Sequence, residues 1–265
     1  MNGFATIPAL ISPYAEGGEP VSRDIPLETP VAIEISGITY AVMMATPADL
    51  ADFVTGFLLS EGLADAAEIG EIALHPVHDG EAFVARTSLP PDRMEPILNR
   101  ARRRLGDSSC GLCGLDSVEE ALRPLPQLTA HSTTPPAAIR LGLAAMRDAQ
   151  LLGARTRATH AAAFLANDGT LVALREDVGR HNALDKLIGA LARRGVSPAT
   201  GFITVTSRCS YELVEKTVRA GCPLLVAVSA PTSLAVSRAK AAGLAMAAIA
   251  RDDSLLWVST PSSPE

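Results

Sequence analysis

Apolar side chains alternate with polar or small ones from Val31 to Ser36, and a second apolar run follows from Ile38 to Met44, with Ser36-Gly37 between them. A period of two around a tight turn predicts a β-hairpin. The period then lengthens: Leu50, Phe53, Val54, Phe57 and Leu58 recur at helical spacing behind Thr46-Pro47-Ala48-Asp49. That tetrapeptide supplies an N-cap hydroxyl, a proline for the first helical position and an acid for the first turn. Gly62 should end the helix. Shorter strands near 71–75 and 81–87 and an arginine-rich helix from about Asp92 to Leu105 complete this half.

The second half opens with a helix near 137–152, then apolar runs His160–Ala166 and Thr170–Arg175 on either side of the turn signal Asn167-Asp168-Gly169. From Gly179, Leu184, Leu187, Ile188 and Leu191 mark one helix face that stops at Gly195. Thereafter strands and helices alternate: strand Phe202–Thr206, helix Tyr211–Ala220, strand Leu224–Val228, helix Ser233–Ala242, strand Leu244–Ala250 and an edge strand Leu255–Ser259. Strands apolar on both faces that alternate with helices imply a parallel sheet covered on each side, a three-layer α/β domain.

Two stretches lack periodicity. Residues 1–24, rich in Gly, Pro and Ser, read as a flexible arm, and RPLPQLTAHSTTPP over 123–136 reads as a linker, because its prolines remove donors and extend their predecessors. The expected organisation is therefore an arm (1–24), an N-terminal α+β domain (25–122), the linker (123–136) and a C-terminal α/β domain (137–265).

Composition changes this picture in two ways. At 265 residues and 48% hydrophobic, the chain can bury a substantial core, which excludes disorder for most of it. A net charge of −6 argues against general nucleic-acid binding, although the cations are nearly all arginine, with lysine only at 186, 216 and 240. Arginine suits fork-like contacts to phosphate or carboxylate. The first residues lack a secretory pattern, and the most apolar stretch, Pro223–Ala250, is broken by Pro231, Arg238 and Lys240, so neither export nor a membrane span is expected.

Three constellations can carry chemistry. In Ser108-Ser109-Cys110-Gly111-Leu112-Cys113-Gly114, two thiols share a glycine-rich loop behind Arg100, Arg102, Arg103 and Arg104, cations that favour the nucleophilic thiolate. A zinc half-site would need two more ligands, and no second Cys-x-x-Cys or Cys-x-x-His supplies them; a dithiol redox pair stays open, although such pairs usually begin a helix. Next, the turns after three successive strands are polar: Thr206-Ser207-Arg208-Cys209-Ser210, then Ser229-Ala230-Pro231-Thr232-Ser233, then Arg251-Asp252-Asp253. Parallel strands put them on one edge, where helix N-termini and arginines can hold phosphates; Ser210 and Thr232 are alternatively plain N-caps. Last, Arg175-Glu176-Asp177-Val178-Gly179-Arg180-His181-Asn182 is a dense polar run with two readings: Asp177 caps the helix and holds His181, or the run is a charged first turn. His160 reads as a core histidine, and Cys209 and Cys222 as small core residues.

These residues resemble a known family. PLETPVAIEISG, GFLLSEGL, SSCGLCG, HAAAF, ALREDVGRHNALDKLIGA, SYELVEKTVRAG and LLVAVSAPTSLAVSRAKAAGL together resemble the FdhD family of formate dehydrogenase accessory sulfurtransferases, over nearly the whole chain after residue 24. The resemblance implies a cytoplasmic homodimer that takes persulfide sulfur from a cysteine desulfurase. It would then pass the sulfur to the bis(molybdopterin guanine dinucleotide) molybdenum cofactor, bound as substrate, before that cofactor enters the formate dehydrogenase apoenzyme. The family's loop cysteines fall on Cys110 and Cys113, with the persulfide at Cys110. Its cofactor-binding stretch falls on Ile249, Ala250, Arg251, Asp252, Asp253 and Ser254, to which the edge reading adds Arg208, Ser229, Thr232 and His181. The implied C-terminal domain is similar to the cytidine-deaminase fold. Deaminase chemistry does not carry over, because His160-Ala161-Ala162 lacks the His-x-Glu acid, and no structural metal, nucleic acid or membrane is expected. Two departures stand out: Arg157-Ala158 replaces a usual glycine pair, and Ser207-Arg208-Cys209 replaces Gly-Arg-Ala.

Overall fold

The structure, a computed structural model, describes residues 3–12, 14, 17–95, 97–99 and 124–260. The first correction lies at its start. Instead of a loose arm, β1 (Phe4–Ile11) and β2 (Glu19–Pro26) pair antiparallel from Phe4↔Pro26 to Ile11↔Glu19. Each strand of a two-stranded ribbon has one free edge, where a proline, lacking its N–H, is tolerated. The ribbon is docked by Arg23, which donates to the Thr156 carbonyl at 3.3 Å, and by Arg155, which pairs with Asp24 at 3.6 Å and lies over the Phe4 ring.

β3 (Thr29–Ile35) and β4 (Ile38–Ala45) form the expected hairpin, with Ser36 and Gly37 both at positive φ. β5 (Ala73–Val77) and β6 (Ala82–Thr87) complete a sheet of order β4-β3-β6-β5, in which β3 and β6 run parallel. Val31, Ile33 and Ile35 are fully buried beneath Phe53, Val54, Phe57 and Leu58 of α1 (Leu50–Ser60). That helix starts later than its sequence suggests. Asp49 is its N-cap, in a left-handed conformation and without a side-chain cap bond, and Thr46 is engaged elsewhere. Of the arginine-rich helix, residues 94, 95 and 97–99 are helical.

The second sheet has order β12-β11-β10-β9-β7-β8. It comprises β7 (His160–Ala166), β8 (Leu171–Asp177), β9 (Gly201–Val205), β10 (Leu224–Ala227), β11 (Ala245–Ala248) and β12 (Leu256–Ser259). Only β9, β10 and β11 are parallel neighbours; β7 runs against both β8 and β9, and β12 against β11, so the sheet is mixed rather than all-parallel. One face is covered by α2 (Pro136–Ala149), through Ile139, Leu143 and Met146. On the other lie α4 (Arg180–Arg193), α5 (Tyr211–Arg219) and α6 (Ser233–Ala242), giving the three-layer α/β architecture. The short α3 (Leu151–Thr156) leads into β7. Its C-cap, Arg157, sits at φ 56, a left-handed conformation that glycine adopts freely and other residues rarely.

The described part of the proline-rich stretch is strapped onto this second unit. Leu125 and Leu128 pack against its core, and the Leu128 N–H donates to the Ala242 carbonyl at 3.0 Å. The two units meet where α1 crosses α4, and small residues set the spacing. A Cβ added at Gly56 would lie 1.7 Å from the Asp185 carbonyl oxygen, and one at Gly189 would lie 1.9 Å from that of Asp52. Helix α1 thus lies between its own sheet and α4.

Candidate functional site

Because β8 and β9 both run against β7, the carboxyl ends of β8, β9, β10 and β11 share one edge with the start of β7. The turns after β9 and β10 are joined there: the Cys209 N–H donates to the Ala230 carbonyl at 3.1 Å and the Thr232 N–H to the Cys209 carbonyl at 3.0 Å. The strip after β11 is tied to the same turns, since the Ile249 N–H donates to the Ser229 carbonyl at 3.2 Å and the Ala250 N–H to the Ala227 carbonyl at 3.2 Å. Arg208, Ser229, Thr232 and the strip Ile249–Ser254 are therefore brought together, as the alternation of strand and helix predicts.

Within the strip each residue has a distinct setting. Ile249 stands at φ 49, a conformation rare for a β-branched residue, and Ala250 is buried. The Arg251 guanidinium donates to the carbonyls of Val228 and Ala250, and the Arg251 N–H closes the loop onto the Ser254 carbonyl at 2.8 Å. Among the described residues no carboxylate pairs with Arg251, so its exposed charge faces solvent at the sheet edge. Asp252 is committed to Arg147 of α2, which holds its carboxyl below the usual range. Asp253 accepts from the Ser254 hydroxyl at 3.0 Å.

The two N-cap positions separate. Thr232 caps α6 by accepting from the Ala235 N–H at 3.3 Å. Ser210 makes no cap bond to α5, and its hydroxyl is buried without a partner among the described residues. Between them, Cys209 is not a third reactive thiol: burial pushes it up to about 12, as it does Cys222.

The polar run after β8 is a joint between the two units. Arg175 donates through Nε and Nη2 to Asp52 of α1 at 2.9 and 2.7 Å. Glu176 receives the N–H groups of Leu152 and Gly153 at 2.9 and 2.7 Å, satisfying the start of α3. Asp177 does not hold His181. It accepts from the Thr46 N–H at 3.0 Å, the Gly179 N–H at 2.8 Å and Asn182 Nδ2 at 3.0 Å, and pairs with Lys186 at 2.6 Å. The reason is register: the helix begins at Arg180 with Gly179 as N-cap, so Asn182 and Lys186 share the inward face. Burial pulls Lys186 below the usual lysine range, against the attraction of Asp177. One turn over, Lys216 contacts Asp185, Glu61 and Ser60. Burial works against its charge, but Asp185 and Glu61 hold the ammonium above the usual lysine range.

His181 is left facing the edge. Its Nε2 is buried without a hydrogen bond among the described residues, 3.8 Å from Glu212 Oε2, and burial with nearby Arg180 lowers the imidazole to about 4. His160, half-buried at the start of β7, is likewise lowered by burial and by Arg180. Both shifts favour the neutral ring. Cys110 and Cys113 lie outside the described residues. Among the described residues no group of three or more His, Cys, Asp or Glu is placed to hold a metal ion, and no helix is long and apolar enough to cross a membrane. The partners of Asp177 and Asp252 were missed from the sequence because they lie in other elements; for Arg147–Asp252 the separation is 105 residues.

Comparison with known proteins adds the following. Residues 26–263 match the FdhD/NarQ family. A sulfur carrier protein FdhD of Variovorax paradoxus is 46% identical over 247 residues, covering 91% of this chain and 86% of the relative. One of Agrobacterium fabrum is 44% identical over 237 residues, covering 87% and 85%. A solved structure from Desulfotalea psychrophila, provisionally described as a formate dehydrogenase accessory protein, superposes with a TM-score of 0.79 over 98% of both chains. At 24% identity it shows a shared fold.

Proposed function

The chain belongs to the FdhD/NarQ family, and from that premise we propose that it is a sulfur carrier serving formate dehydrogenase maturation. The observation that carries the proposal is the 44–46% identity, across 87–91% of the chain, to proteins named sulfur carriers. In finer terms, a cytoplasmic homodimer receives sulfur from a cysteine desulfurase and delivers it to the bis(molybdopterin guanine dinucleotide) molybdenum cofactor, its substrate, ahead of assembly with formate dehydrogenase.

In the loading step the Cys110 thiolate attacks the terminal sulfur of the desulfurase persulfide. The desulfurase thiolate leaves, and Cys110 carries the sulfane sulfur with no net oxidation. In delivery, Cys113 either shares that sulfur or discharges it. If its thiolate attacks the Cys110 sulfur, a Cys110–Cys113 disulfide forms and the sulfane sulfur departs as sulfide, so the two thiols supply the two electrons. The disulfide is then returned to dithiol by a thiol reductant.

The sheet edge supports the binding half of this reading. Arg251 offers a guanidinium with no carboxylate partner among the described residues, Arg208 lies on the adjoining turn, and Ser210 holds an unpartnered hydroxyl near the start of α5. Such donors suit the phosphates of dinucleotide arms.

Peptide mass spectrometry after incubation with a cysteine desulfurase and cysteine tests the carrier role. A reductant-labile sulfur on the loop peptide, absent in Cys110→Ser, is the expected result. No added sulfur, with the desulfurase active on another acceptor, would replace the carrier role with that of a cofactor escort.

A further inference from the structure

Beside the strip Ile249–Ser254, a groove of about 330 Å³ opens along the outer face of α2, lined by Arg140, Leu141, Ala144, Arg147, Asp148 and Asp252. Its central contact is a fork. Arg147 Nη2 lies 2.5 Å from Asp252 Oδ1 and Nη1 lies 3.2 Å from Oδ2, so two nitrogens meet two oxygens in the arrangement a guanidinium also offers to phosphate. The pair is weakly held, because its side chains are 58% and 75% exposed. Arg140, two turns earlier on the same helix face, is exposed; among the described residues it forms no ion pair, and its charge acts with that of Arg147 on Asp252. Two arginines thus face one groove, and the single carboxylate paired across it belongs to the strip that the functional reading assigns to nucleotide binding.

We propose that Arg140 and Arg147 form a second anion subsite, which takes the pyrophosphate of a nucleoside-diphosphate-bearing ligand while Asp252 occupies Arg147 until that phosphate displaces it. The proposal rests on the reading of Ile249–Ser254 as a nucleotide-binding strip, and it extends that site from the sheet edge onto α2. A pyrophosphate carries at least two charges and more acceptor oxygens than one carboxylate, so it outcompetes Asp252 for the same fork. Displacement also unties the strip from α2, because the Arg147 fork is the side-chain contact of Asp252 across the groove. Ligand binding and movement of the strip are then one event. No bond is made or broken.

The test is equilibrium binding of guanosine diphosphate to the full chain at low ionic strength, by calorimetry. Asp252→Asn frees Arg147 and tightens binding, by at most about fivefold given the weakness of an exposed pair. Arg147→Gln weakens binding about tenfold, and Arg140→Gln weakens it to a lesser degree. In the Arg147→Gln background, Asp252→Asn brings no gain, because no fork remains to be freed. Asp148→Asn removes the same charge from the same groove without freeing a guanidinium, and stays within about twofold of the parent. An equal gain from Asp148→Asn would reduce the effect to general charge and overturn the subsite. If Asp252→Asn is neutral or weaker while Arg251→Ala still weakens binding about tenfold, the fork is a brace, the subsite is wrong and the strip reading survives. If Arg251→Ala also has no effect, or the parent does not bind, the strip reading falls and the subsite falls with it.

Discussion

Lys186 Nζ lies 2.6 Å from Asp177 Oδ2, and neither side chain is exposed to solvent at all. The ammonium also donates to the Thr46 carbonyl at 2.9 Å, while the carboxylate takes the Thr46 N–H, so one threonine of the first unit is clamped from both sides by the second. Burying such a pair is expensive and stripping one partner from it more so. Lys186→Met should destabilise the protein by about 3–5 kcal/mol, because it leaves a buried carboxylate without its cation. Urea unfolding of Lys186→Met, Asp177→Asn and the double variant checks this; the double variant should lose less than the two singles added together.

The crossing of α1 over α4 tolerates no side chain at two positions. Gly56→Ala or Gly189→Ala places a methyl inside the facing backbone and should cost about 1–3 kcal/mol or more, even though alanine favours helix. Thermal unfolding measures the loss. A neutral Gly56→Ala would mean that the helices can move apart without cost.

His181 gives stability a pH dependence. Its folded value of about 4 lies below the ordinary 6.5, so between those limits the unfolded chain binds more protons and stability falls as pH falls. The contribution is complete above about pH 6.5, and on the order of 1–2 kcal/mol of it should be gone at pH 5. Replacing His181 with Gln should flatten the pH dependence of the urea midpoint across this window; His160, shifted in the same direction, leaves a residual slope.

Sulfur loading and cofactor binding should separate by mutation. Cys110→Ser is expected to lose the persulfide and keep nucleotide affinity, whereas Arg251→Ala should lose affinity about tenfold and keep the persulfide. Loading by mass spectrometry and binding by calorimetry, made on the same two variants, decide it. Equal loss of both properties in both variants would dissolve the distinction between a loading loop and a binding edge.

Elements with a strong period were legible in the sequence. The helices at 136–149, 180–193 and 233–242 and the strands at 160–166 and 224–227 stand close to where their apolar spacing places them. The ribbon at the start was not, because Pro8, Pro20 and Gly18 read as coil when pairing partners are unknown. Thr46 looked like a helix cap because its local chemistry suits one; a long-range carboxylate outbid that local role. The same applies at the site. Clustering of three polar turns followed from strand direction alone, whereas Asp177 choosing Lys186 over His181 depended on a helix start fixed only by tertiary packing.

The glycine seam between α1 and α4 has a consequence for how the chain is made. Helix α1 has emerged from a ribosome long before α4 exists, so the face around Gly56, with Asp52 and Thr46 still lacking Arg175 and Asp177, waits uncovered while more than a hundred further residues are added. During that interval the first sheet and its helix form only half of a joint. Nascent chains arrested before residue 180 should therefore be protease-sensitive within residues 29–60, and become protected there once α4 has cleared the exit tunnel.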